Sequence, residues 1–414
     1  IFAGNFIADP LSQFLKIFTI ATVGVAFVYS RGYLLARELY KGEYYVLGLF
    51  ALLGIMVMIS AFSLLTMYLG LEMLSLALYA MVAFDRESPI AAEAAMKYFV
   101  LGAIASGILL YGMSIIYGVT GSLRLDQVAS KLLASESGQW SVLLGVAFIL
   151  VGVAFKFGAV PFHMWLPDVY QGAVTSVTLF IGTAPKIAAL AMAIRLLVEG
   201  LGAEAVVWQP MLTVLAVLSL AVGNILAIAQ SNIKRMLGYS TISHAGFILL
   251  GLVAGDQAGR EAALFYTLIY VITAAGAFGM VILMSRGGFE ADQLEHYKGL
   301  NARSPWFAAI MLLLMLSLIG VPPLAGFFAK WSILAALIGV DKIWLAALGV
   351  LFSVIGAFYY LRVVRLMYFD QGLDQTAPEA GLDLRVLLSL NGLVLLGLGL
   401  FPNWLLRICI AVMP

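Results

Sequence analysis

Six side chains of this sequence stand where acid–base chemistry would be consequential: Glu72, Lys97, Lys156, Lys186, His244 and Lys330 all lie within long apolar runs. A free lysine, with a pKa near 10.4, holds its proton too tightly to release it near neutrality. Burial disfavours the charged form of a lysine and a nearby carboxylate favours it. A Glu–Lys pair whose spacing or hydration changes therefore alternately holds and releases a proton. A two-unit swing in pKa is worth about 2.7 kcal/mol, on the scale of one charge crossing a 100 mV potential, about 2.3 kcal/mol. The cost side argues the same way. Each charge at a helix centre costs about 2.5–3.5 kcal/mol on insertion scales, so four cost roughly 10–14 kcal/mol, comparable with the net stability of a whole domain. A fold does not keep such a set for packing alone.

The residue types point to a proton relay of Glu72, Lys156, Lys186, His244 and Lys330 at mid-depth, with Ser240, Thr241 and Ser243 placed to bridge gaps. Lys97 is a weaker member, since it lies near the end of its run and can reach the surface; Glu72 is expected to pair with Lys97 or Lys156. The competing reading of Lys156 and Lys330 is that each caps carbonyls freed by an adjacent helix break. His163 and Asp168, set among prolines, can likewise serve as caps, and Lys16 reads as interfacial.

Composition limits the alternatives. The chain is 63% hydrophobic and 11% charged, against about 25% charged in soluble domains, so it reads as an all-α polytopic membrane protein. A net charge of +1 leaves no nucleic-acid footprint. A single cysteine, Cys409, supports neither a disulfide nor a cysteine metal site. His163, His244 and His296 are far apart and form no metal-ligand spacing, and neither a phosphate-cradling glycine loop nor a dinucleotide fingerprint occurs. No metal or cofactor site is expected in this chain.

The elements that must position the charges follow from hydropathy. Windows of about 20 apolar residues predict roughly twelve spans, near 11–30, 44–61, 63–84, 93–119, 141–170, 174–198, 208–229, 232–254, 261–284, 304–340, 342–369 and 384–411. The fifth contains GVAFKFGAVPFHMWLPD (152–168). Lys156 lies about fifteen residues into it, roughly 22 Å from its start, and Pro161 and Pro167 interrupt it. The tenth is interrupted by Pro322 and Pro323 just before Lys330. Proline removes a backbone donor and clashes with the preceding turn, and such breaks persist in a bilayer only where protein or a watery cavity covers them. With a break at the fourth place of each five-span set, the chain divides into an N-terminal helix (1–41), a first inverted repeat (42–200) with broken helix 141–170, a second (201–370) with broken helix 304–340, and a C-terminal helix (371–414). Loops carrying Arg31, Arg37, Lys41, Arg86, Lys234, Arg235, Arg286, Lys298 and Arg303 define the basic, cytoplasmic face and put both ends of the chain outside.

Three stretches carry a resemblance: PFHMWLPDVYQGA (161–173), NIKRMLGYSTISHAGF (232–247) and GVPPLAGFFAKWSIL (320–334) resemble the antiporter-like membrane subunits of respiratory complex I, the proton-pumping NADH:quinone oxidoreductase. The likeness runs over essentially the whole chain. It implies a fold of fourteen helices, of which about twelve are seen here, the first two lying upstream of Ile1. The proton-path residues it implies match Glu72, Lys156, Lys186, His244 and Lys330. It also implies that FMN, iron–sulfur clusters, quinone and NADH belong to other subunits, and that the partners are other membrane-arm subunits and the lipid bilayer. One departure is AVTSVT (173–178), where the family often has a proline-rich segment. The rival readings are a subunit of a multisubunit cation/proton antiporter, which would need more carboxylate and carbonyl ligands than one glutamate among lysines, and a structural scaffold.

Overall fold

A computed structural model describes residues 2–134, 140–285, 287–372, 376–378 and 380–413. Arg286, counted above among the loop charges, lies outside them, as do the first and last residues. The helices are α1 (Pro10–Ala36), α2 (Gly42–Ser60), α3 (Leu64–Val82), α4 (Pro89–Thr120), α5 (Leu125–Ala134), α6 (Trp140–Phe157), α7 (Trp165–Gly172), α8 (Thr175–Gly182), α9 (Ala184–Ala193), α10 (Ala205–Ile228), α11 (Ile233–Ala254), α12 (Gln257–Met284), α13 (Leu300–Arg303), α14 (Pro305–Ile319), α15 (Ala325–Gly339), α16 (Ile343–Tyr368), α17 (Leu382–Leu400) and α18 (Pro402–Val412). Their starts carry the expected signals. Asp9, Ser63, Ser88, Asn232 and Asp256 accept hydrogen bonds from backbone N–H groups of the first turn, satisfying donors that have no partner inside the helix.

Among the described residues, eleven helical stretches are long and apolar enough to cross a membrane, and the broken tenth span supplies two shorter apolar helices, α14 and α15. The chain is an all-α polytopic membrane protein. Its centre is formed by Thr175–Gly200 and α11, whose most apolar stretches are wholly buried, and by α12, where 94% is buried. This explains why the most polar span is tolerated: α11 meets protein on every side, so its serines, threonine and histidine find partners rather than hydrocarbon. Close helix contact depends on glycine at matching places in the two halves. A Cβ added at Gly54 would sit 2.5 Å from Leu74 N and 2.9 Å from Gly70 O; one at Gly223 would sit 2.6 Å from Ser243 N and 2.8 Å from Tyr239 O. The α2–α3 and α10–α11 pairs thus use the same sequence offsets for their closest approach.

Three details differ from the hydropathy reading. The sixth span is divided: α8 ends at Gly182, Thr183 departs from helical geometry at φ −119°, ψ −90°, and α9 passes into a π-helical turn at Ile194–Gly200. Hydropathy is blind to this because both pieces are apolar; the mark in the sequence is Pro185, in the first turn of α9. The twelfth span is α17 followed by α18, separated at Phe401–Pro402. The amphipathic helix α5 is too short and too polar to register as a span.

Candidate functional site

The first break is built by the sequence around Gly158, at φ +75°, a conformation that glycine adopts without steric cost. The loop is pinned where Val160 N donates to Ser219 Oγ of α10 at 2.9 Å. The end of α6 leaves carbonyls without intrahelical donors, and side chains supply them. Trp165 Nε1 donates to Phe155 O at 3.3 Å, and Lys186 Nζ, from α9, donates to Phe157 O at 2.9 Å. The Lys186 ammonium also lies 5.9 Å from the Trp165 ring centre. The second break repeats the scheme. Gly320, at φ +87°, ends α14, and Lys330 Nζ donates to Ile319 O at 2.8 Å and to Ser353 Oγ at 2.7 Å, with the Phe247 ring 5.1 Å away. The capping alternative is therefore geometrically real, and Lys186, rather than Lys156, is the lysine that caps the first break. Capping does not exclude proton transfer, because a neutral amine still donates N–H.

Lys156 is 6% exposed and donates instead to Ser75 Oγ at 2.9 Å, one turn from Glu72 on α3. Ser75 in turn donates to Leu71 O at 2.7 Å. Glu72 Oε1 is enclosed with no hydrogen-bond partner, and Tyr68 and Tyr79 lie within electrostatic reach of its carboxylate. Lys156 stands within such reach of both Glu72 and Lys186, but Glu72 and Lys156 do not close to an ion pair. The expectation for Lys97 needs correction. Its ammonium sits at the surface and is held 2.8 Å from both Glu93 and Asp168, away from Glu72. Asp168 also takes Arg235 at 2.5 Å, so it anchors α7 to α4 and α11. His163 lies at the edge of the break, with Nδ1 enclosed and unpartnered.

In the second half His244, on α11, is flanked by two tyrosines, with Nδ1 2.7 Å from Tyr266 OH and Nε2 3.1 Å from Tyr360 OH. Tyr360 continues to Ser240 Oγ at 2.5 Å, and Tyr270 donates to Thr241 Oγ1 at 2.8 Å. A small cavity of about 10 Å³, enough for one water centre, is lined by His244, Tyr266, Tyr270, Ser317 and Lys330. Ser317 Oγ there is buried without a partner. Near them stands Tyr170, whose enclosed hydroxyl has no hydrogen-bond partner but lies close to Thr241 and Tyr270 and approaches Gly182, four residues before Lys186. The structure thus brings Glu72, Lys156 and Lys186 into one group and His244 and Lys330 into another, with tyrosine and threonine hydroxyls nearby.

Several residues here escape a reading of the sequence. Tyr170, Tyr266, Tyr270 and Tyr360 pass as apolar filler, because a phenol signals its hydroxyl only when another polar group faces it. Lys234 is 3% exposed, donates to Ala173 O at 2.9 Å and lies 3.8 Å from Glu290. Its position at a helix start reads equally well as a surface charge, and only the fold-back of the loop before α13 encloses it.

The family described as NADH:quinone oxidoreductase/Mrp antiporter, TM, matches residues 61–356, and the chain belongs to it. Within that family it is 61% identical to NADH-quinone oxidoreductase subunit N of Thioalkalivibrio sulfidiphilus over 98% of this chain and 85% of that protein, and 59% identical to subunit N of Thiobacillus denitrificans over 98% and 84%. A chain of respiratory complex I from Thermus thermophilus superposes with a TM-score of 0.83 at 33% identity, covering 98% of this chain and 87% of that one. A chain of the Mrp complex from Dietzia superposes with a TM-score of 0.88 over 98% of this chain and 83% of that one; at 23% identity it shares the fold alone.

Proposed function

We propose that this chain is a proton-translocating membrane-arm subunit of an NADH:quinone oxidoreductase, set in a bacterial inner membrane as two inverted five-helix repeats with both ends of the chain on the periplasmic side. Protons pass through Glu72, Lys156, Lys186, His244 and Lys330, with Tyr170, Thr241 and Tyr270 carrying the link between halves. The redox chemistry, with its NADH, FMN, iron–sulfur clusters and quinone, belongs to other subunits, and this chain supplies the path and its pairing switch. Glu72 and Lys156 are the switch: side by side without an ion pair, they favour a proton on the lysine when they close and release it when they part.

The observation that carries the reading is that ionisable groups from five different helices lie in the apolar interior, with Lys156, His244 and Lys330 on buried hydroxyls and the last two at one water-sized cavity, where a packing role would have favoured apolar residues. The test is NADH-driven acidification of membrane vesicles carrying Lys156→Ala, with and without sodium. Loss of acidification at normal subunit content supports the relay. Sodium-dependent transport in the parent protein would favour a cation antiporter, and unchanged pumping would leave only a scaffold.

A further inference from the structure

The helix that carries Lys186 is a short rod with a weak point at each end. It begins at the non-helical Thr183 and runs out into the π-helical turn Ile194–Gly200. A split helix in a bilayer keeps its geometry only if neighbours hold its pieces. Here one neighbour, α1, reaches both ends. At its start, Asp9 caps α1 through Ser12 N and also accepts both 2.8 Å hydrogen bonds from Arg195 Nη2 in the π turn. Arg195 is 1% exposed and also pairs with Glu199 on its own turn; Lys16 of α1 is the remaining charge within reach. At the other end of α1, some 36 Å away at 1.5 Å per residue, Tyr33 OH accepts Thr175 N, the first residue of α8, at 3.2 Å and donates to Glu290 at 2.7 Å. Glu290 also binds the Thr175 hydroxyl and Arg37. Neither end is a surface ion pair that solvent could replace.

We propose that α1 is a two-ended clamp on the split helix α8–α9, and that Asp9, Arg195, Tyr33 and Glu290 are positioning residues that fix where Lys186 meets the Phe157 carbonyl. This rests on Lys186 belonging to the proton path. None of the four touches Lys186; Asp9 and Arg195 act at the end of α9, and Tyr33 and Glu290 at the start of α8. Releasing either end lets the split helix shift or turn, which changes how far Lys186 stands from Lys156 and from the buried hydroxyls.

The test uses the whole complex in membrane vesicles and measures acidification per NADH oxidised across pH 6–9 for Asp9→Asn, Asp9→Glu, Tyr33→Phe and Lys186→Met. Expected is a fall in the ratio of about tenfold for Asp9→Asn, less than the roughly 100-fold that misplacing a reacting group by about 1 Å can bring. A displaced pH optimum and recovery in Asp9→Glu, which retains the carboxylate, are expected with it. Tyr33→Phe deletes one hydroxyl and is the variant to read if Asp9→Asn fails to assemble; it too should shift the profile. Assembled Asp9→Asn or Tyr33→Phe complexes with the parental ratio and pH profile overturn the clamp. Lys186→Met separates the two claims: if it pumps normally the relay itself is wrong, whereas if it fails while the clamp variants are unchanged only the clamp is wrong.

Discussion

Lys330→Arg separates the capping role of that lysine from proton transfer. The ammonium makes two hydrogen bonds, to Ile319 O at 2.8 Å and Ser353 Oγ at 2.7 Å, and lies 5.1 Å from the Phe247 ring centre. Arginine preserves all three, since its fork donates to two acceptors and stacks on aromatic faces. Removing the side chain would forfeit about 1–3 kcal/mol of hydrogen bonding and about 0.5–2 kcal/mol of cation–π attraction. It would also remove a charge costing about 2.5–3.5 kcal/mol at the helix centre. The terms nearly cancel, and Ser353 Oγ still donates to Ile319 O at 3.3 Å, so Lys330→Met should assemble as well as Lys330→Arg. Pumping should fail in both, for opposite reasons. Methionine has no proton to pass, and arginine does not give its proton up: a pKa about 2 units or more above that of lysine means at least about 100-fold fewer deprotonated side chains, or about 2.7 kcal/mol. The assay is NADH-driven vesicle acidification, normalised to NADH oxidation and to assembled subunit. Parental pumping by Lys330→Arg would refute the argument, because a permanently charged cap would then suffice.

Ser75→Ala removes the hydroxyl that receives Lys156 and should cost about 1–3 kcal/mol, read as lower thermal stability of the purified complex together with weaker pumping. Lys97→Ala should leave pumping within about twofold, because an exposed pair is worth only about 0–1 kcal/mol; acidification per NADH measures it, and a severe loss would place Lys97 in the path. Gly223→Ala forces a Cβ to within 2.6 Å of Ser243 N, so α10 and α11 must part; overpacking of this kind costs about 1–3 kcal/mol, measurable as reduced subunit content and melting temperature. Burial raises the Asp9 carboxyl, but Arg195 and the Ser12 N–H outweigh it and hold its pKa below the ordinary aspartate value. The stability it contributes is therefore full above the unfolded value and lost as pH falls through the folded one. The melting-temperature gap between parent and Asp9→Asn should be flat from pH 7 to about 5 and close below about pH 4.

The span count, both breaks and the placement of charged residues within spans were legible because bilayer thickness sets helix length and proline interrupts it wherever it falls. Lys156, Lys186 and Lys330 stood out for the same reason: apolar surroundings make a charge conspicuous. What could not be read was direction. Lys97 and Lys156 both lie in apolar runs beside a candidate acid, yet Lys97 turns to Glu93 and Asp168 while Lys156 turns to Ser75, and that choice depends on helix rotation against neighbours distant in sequence. Nor could Glu290 be read, since an acid in a charged loop gains its partners only when the loop folds back over α1, α8 and α11. The split at Thr183 is invisible to hydropathy because α8 and α9 are both apolar.

The string Tyr266–His244–Tyr360–Ser240 has a further property. Tyr360 OH sits between His244 Nε2 and Ser240 Oγ, so in the proposed relay a proton passed along the string would leave its rotors facing the wrong way. Before the next one can follow in the same sense, each must swing back. Used as a wire, the string would be a ratchet that needs rewinding, its turnover bounded by that reset as well as by the hop; a solvent deuterium effect growing with the number of intact hydroxyls would reveal which of the two is slower.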